Sequence, residues 1–190
     1  MLVFSEYQTD TIDLALDFYG YEDCPKNYEF GPSVRDNFVL HFITEGNGVF
    51  HFNKKEIHLE AGDLFLLPKN KVTYYKADAE EPWSYYWIGI SGTKVSDFMR
   101  FSTLHEKGFL KKTEVETEKI GQFMERLVHK AEASKMTSHY QLHLLSQIYE
   151  LLFLISEVAP DIHRSHPSPT YQLYLTCKHV IETHYNKEHL

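Results

Sequence analysis

The chain has 190 residues, 43% hydrophobic and 24% charged, with a net charge of −8. This length supports one domain with a core plus an appendage, and no apolar run approaches the roughly 18 residues that span a bilayer, which excludes membrane insertion and wholesale disorder. The acidic balance argues against strong binding to a phosphate backbone by this chain alone.

The opening Met1-Leu2-Val3-Phe4-Ser5-Glu6 lacks the basic and apolar regions of a secretory signal, which predicts a cytoplasmic protein. Cys24 and Cys177 lie far apart and fit no C-x-x-C pattern, so both are expected as reduced, inert thiols. The acidic excess and most aromatic residues fall within residues 1–92, whereas 93–190 balance acid and base. Two kinds of architecture are therefore expected, meeting near Ser91-Gly92.

From Asn37 onward, short runs of β-branched and aromatic residues alternate with turn residues. Phe38 to Ile43 predicts a strand ended by Gly46-Asn47-Gly48, whose glycines permit a tight connection, and Val49 to Phe52 returns. Asn53-Lys54-Lys55 turns into Glu56 to Leu59, and Ala61-Gly62-Asp63 turns into the apolar run Leu64 to Leu67, stopped by Pro68. Val72 to Lys76 and Trp83 to Ile90 follow across an acidic loop. This spacing predicts a small antiparallel barrel or sandwich.

After Gly92 the apolar period lengthens to about 3.6. Helices are expected from Thr93, as cap, towards His105, from Val115 to Ala133, and from Ser138 to Val158, the last opened by the capping-box pattern Ser138-His139-Tyr140-Gln141. In that last helix Leu145, Ile148, Leu152 and Ile155 make one seam, and Leu144, Leu151 and Val158 another. Either the helix is buried centrally in its own domain, or one seam meets the barrel and the other a second subunit. The second reading makes Leu144, Leu145, Ile148, Leu151, Leu152 and Ile155 a dimer interface. Residues 160–170 read as a Pro/Ser linker, and 171–190 resume helical spacing too briefly to bury a core, as though opening a further domain.

Leu59-Glu60-Ala61-Gly62-Asp63 running to Pro68, with Gly46-Asn47-Gly48 before it, resembles the cupin superfamily over about residues 30–90. Cupin enzymes hold a metal with histidines and a glutamate. Here the corresponding positions fall on Asn70 and Thr73 in the second motif, and on Val39 and Ser33 to Arg35 in the first, so no metal cofactor is expected. Arg35 near that position points to an oxygen-rich organic ligand instead. His139 and His143 stand four apart on a predicted helix but lack a nearby third ligand, so a solvated face is expected. Nucleophile-elbow, Walker and H-E-x-x-H patterns are absent.

In Pro82-Trp83-Ser84-Tyr85-Tyr86-Trp87-Ile88, strand alternation puts Trp83, Tyr85 and Trp87 on one face. Three such rings could simply fill a barrel, but flat rings with N–H and O–H tips suit a sugar, which offers a C–H face to stack on and hydroxyls to bond, so a hollow lined by them is expected ahead of a packed core. Tyr75, His41 and Arg35 complete the predicted ligand-binding set.

The metal-less cupin pattern, Gly20-Tyr21-Glu22-Asp23-Cys24, Phe30 to Asp36, the Trp83 block, the helices and the linker together resemble the regulatory half of AraC-type transcription factors, the sugar-responsive members in particular. The resemblance implies an α+β fold, a cupin-like jelly-roll barrel (1–92) followed by a helical dimerisation region (93–159). It implies no enzyme activity, a carbohydrate-like effector, a homodimer, and DNA contact through a helix-turn-helix domain whose first helix begins in 171–190. The family's sugar-binding tyrosine falls on Tyr75, and its His and Trp fall on Tyr85 and Trp87, with Tyr in place of the His. Met1 to Thr11 would form an arm over the barrel mouth. The alternative is a metal-independent sugar isomerase or epimerase in which His41 and Tyr75 or Tyr85 shuttle a proton.

Overall fold

Alternation along the strand Ser84–Ser91 sorts side chains between two apolar cores. Trp83, Tyr85 and Trp87 join one, and Tyr86, Ile88 and Ile90 join the other. The computed structural model describes residues 5–6, 12–133, 138–162 and 169–185. In order these form β1 (Ser5–Glu6), β2 (Ala15–Asp23), β3 (Glu29–Val34), β4 (Phe38–Glu45), β5 (Asn47–Phe52), β6 (Lys55–Glu60), β7 (Leu64–Leu67), β8 (Val72–Ala77), β9 (Ser84–Ser91), α1 (Val95–Met99), α2 (Leu104–Lys107), β10 (Phe109–Leu110), α3 (Thr117–Ala133), α4 (Ser138–Val158) and α5 (Pro169–Tyr185).

One antiparallel sheet runs β1-β2-β9-β4-β7-β10 and a second runs β3-β8-β5-β6. Their facing sides enclose an aromatic core that includes Phe50, Phe65, Tyr75, Trp83 and Tyr85. The outer face of the larger sheet packs Leu40, Phe42, Leu64, Leu66 and Ile88 against Ile120, Met124 and Leu127 of α3 and Leu144, Ile148, Leu151 and Ile155 of α4. The architecture is the expected antiparallel barrel followed by helices. In the turn before β5, Gly46 takes the positive φ of 68°. Gly48 is required for space, because a Cβ there would stand 2.6 Å from the Trp83 ring.

Several elements differ from expectation. Strands β2 and β3 precede the first predicted strand; β3 lies at a sheet edge and carries Pro32 within a bulge between Phe30 and Ser33, where no ladder donor is needed. The predicted helix from Thr93 to His105 is split into α1 and α2. Between them Ser102 donates its hydroxyl, and Thr103 its backbone N–H, to the Ala159 carbonyl at the end of α4. Thr93 bonds Asp13 and does not cap α1.

The dimer-interface assignment is corrected for Leu144, Ile148, Leu151, Leu152 and Ile155, which are buried in the chain's own core. Helix α4 packs on α3 and reaches β2, so both seams are used within one subunit. Leu145 is half-buried, and the face left exposed carries Leu142 (71%), Tyr149 (45%) and Phe153 (63%).

The chain divides into units Met1–Pro160 and Asp161–Leu190. The second contains α5, whose Leu173, Tyr174, Val180 and Ile181 are exposed. Of the expected arm, β1 pairs with Phe18 and Tyr19 of β2, and the remainder up to Thr11 lies outside the described residues, as does most of the expected linker.

Candidate functional site

Between the sheets, His41 on β4 has Phe65 and Trp87 as its cross-strand neighbours. Its ring stacks on Phe65 at 4.4 Å and meets Tyr75 at 5.6 Å and Tyr85 at 4.9 Å. Three of the predicted residues, His41, Tyr75 and Tyr85, thus share one interior cluster. Trp83 touches it from below, stacked on Phe65 at 5.4 Å and fully buried beneath Gly48. Trp83 is therefore a plug and not the wall of an opening. The expected hollow is also corrected: Phe50, Phe52, Phe65 and Trp83 fill the interior, since large rings at adjacent inward positions of a barrel this narrow meet one another.

One end of the interior, its mouth, is bordered by half-buried Phe18, Phe30 and Arg35. Phe18 lies edge-on to Trp87 at 5.4 Å, and the Arg35 guanidinium stacks over Phe30 at 4.7 Å and Phe18 at 5.8 Å. Phe30 in turn stacks on Tyr75 at 5.5 Å. Arg35 therefore belongs to this mouth and connects to buried Trp87 and to the His41 cluster through Phe18 and Phe30, two phenylalanines that sequence reasoning missed.

Glu22 was also missed. The Tyr85 hydroxyl donates to its carboxylate at 3.1 Å and lies 3.1 Å from the Tyr75 hydroxyl. A phenol has one proton to give, so Tyr75 must donate to Tyr85, and the relay runs Tyr75 to Tyr85 to Glu22. A bulge between Leu16 and Phe18 in β2 reverses the facing of the strand, turning Phe18, Glu22 and Cys24 inward. A continuous period-2 reading of β2 breaks at that bulge, which hides the signal.

Burial sets the protonation of this interior. It pushes His41 down to about 3, assisted by the Arg35 charge, so the imidazole is neutral at neutral pH. It raises Tyr75 and Tyr85 and pushes Cys24 up to about 12, so phenols and thiol keep their protons. Among the described residues, the buried Arg35 Nε has no hydrogen-bond partner, a condition costing about 1–3 kcal/mol in a protein interior. Among the described residues no group of three His, Cys, Asp or Glu is placed to hold a metal ion. Two surface clefts lie elsewhere, about 350 Å³ beside Tyr86 and Glu125 and about 590 Å³ beside Gly46 and Lys112, and neither is lined by a predicted site residue.

The AraC-like ligand binding domain family matches residues 15–152, which include the barrel, its mouth and most of α4. The chain belongs to that family. Among relatives of this AraC-like domain, it is 35% identical over 184 residues to the Msm operon regulatory protein of Streptococcus mutans, covering 96% of this chain and 65% of that protein. It is 41% identical over 100 residues to the raffinose operon transcriptional regulatory protein RafR of Pediococcus pentosaceus, covering 51% of this chain and 36% of that one. The chain thus spans less than two thirds of the length of these regulators. Among solved structures it is similar to YhaK from Escherichia coli, with a TM-score of 0.43, 13% identity and coverage of 50% of this chain and 46% of that one.

Proposed function

We propose that this AraC-like domain senses a sugar or similar polyhydroxylated effector at the barrel mouth and passes the signal on through a homodimer of a DNA-binding regulator. The observation that carries this reading is the mouth itself. The Trp87 and Phe18 rings meet edge-on there, Glu22 and the tyrosine relay supply fixed hydrogen-bond groups, and Arg35 Nε is a buried donor with no acceptor among the described residues. An effector hydroxyl arriving as Arg35 lifts from Phe30 would supply that acceptor. The raffinose operon regulator among the relatives makes raffinose a first candidate, and DNA contact is assigned to the longer protein.

The exposed Leu142, Tyr149 and Phe153 stripe of α4 is the proposed dimer surface in place of the buried seams. Effector binding then shifts the equilibrium between quaternary arrangements by its difference in affinity for them, and by no more. Proton shuttling is disfavoured, because a shuttle works best with pKa values near the operating pH and burial moves His41, Tyr75 and Tyr85 away from it.

Calorimetric titration with raffinose, lactose, galactose and glucose tests the reading. Saturable heat without turnover, lost in Trp87→Ala, is expected. Turnover of a sugar, or binding that ignores Trp87→Ala, contradicts it.

A further inference from the structure

The mouth contains one carboxylate whose position is fixed from inside. Glu22 Oε2 accepts the Tyr85 hydroxyl, itself held by Tyr75, while Oε1 has no hydrogen-bond partner among the described residues. Cys24, Tyr28, Tyr75 and Tyr85 each have a pKa raised in part by the Glu22 charge, so its field reaches throughout the inner mouth. The opposing cation, Arg35, is stacked on Phe30 and Phe18, and its charge acts on Tyr28 and on the buried His41. A sugar hydroxyl meets a ready acceptor at Oε1, whereas a phosphate ester brings a like charge into a partly desolvated place.

We propose that Glu22 is the specificity-determining residue of the mouth, accepting hydroxyls of neutral sugars and excluding phosphorylated ones. This rests on the mouth being the effector site. Specificity built this way is a repulsion as much as an attraction.

The test is titration of the protein and its Glu22→Gln and Glu22→Asp variants with raffinose, lactose, galactose and glucose, and with galactose 6-phosphate and glucose 6-phosphate. Thermal melting verifies that each variant is folded. The wild type is expected to bind a neutral sugar and to bind the phosphates at least about a hundredfold more weakly. Glu22→Gln narrows that ratio by about tenfold or more, and Glu22→Asp, which keeps the charge, largely preserves it. Equal binding of neutral and phosphorylated sugars by the wild type, or an unchanged ratio in a folded Glu22→Gln, overturns the role of Glu22 and leaves the mouth as a sugar site. Binding of no sugar at all overturns both.

Discussion

The ring of Phe18 occupies the space in which a side chain on Gly89 would stand: a Cβ built there lies 2.0 Å from the ring. Because Phe18 also carries the edge contact to Trp87 and lies under Arg35, the smallest residue of β9 sets the geometry of the mouth. Gly89→Ala is expected to cost about 1–3 kcal/mol through overpacking and to weaken effector binding by displacing Phe18. Thermal melts and titration check this pair of effects, and an unperturbed melt with full affinity would refute it.

His41 makes stability depend on pH. Its folded pKa of about 3 lies below the unfolded value of 6.5, so as pH falls through that window the unfolded chain takes up a proton that the native one refuses. Stability should drop by up to about 1.4 kcal/mol per pH unit from this group and be fully restored above pH 6.5. His41→Phe, retaining a ring on Phe65, should show a shallower acid loss in urea denaturation at pH 7.5, 6 and 5. Equal slopes for both proteins would remove His41 from the explanation.

The proposed dimer surface on helix α4 is distinct from the residues of that helix that stabilise the fold. Ile148→Ala, in the core, should destabilise the fold by about 2–5 kcal/mol. Phe153→Glu, at 63% exposure, should leave the melt within about 0.5 kcal/mol of the parent yet convert dimer to monomer in analytical ultracentrifugation. A dimer persisting in Phe153→Glu places the interface elsewhere.

Much of this was legible from residues. The period-2 pattern of Trp83 to Ile90 assigned each aromatic to its correct face, and the capping box at Ser138 and the 3.6 apolar period after Gly92 placed the long helices. What was hidden depends on nonlocal contacts. The bulge at Asp17 interrupts the alternation of β2, and with it the inward facing of Phe18 and Glu22. The split between α1 and α2 comes from the Ala159 carbonyl, 57 residues from Ser102. Two apolar seams on α4 look the same in sequence whether a second subunit or α3 covers one of them. Likewise, inward-facing rings cannot announce whether they line a space or, like Trp83, close it.

Trp83 and Trp87 are the two tryptophans of the chain, one sealed beneath Gly48 and the other buried against Phe18 of the mouth, so intrinsic fluorescence reports on the proposed site directly. Titrating the protein with raffinose, lactose, galactose and glucose should give a saturable change in emission with at least one of them, abolished in Trp87→Phe. Emission that responds to none of these sugars, or a response that survives in Trp87→Phe, would contradict the assignment of the barrel mouth as the effector site.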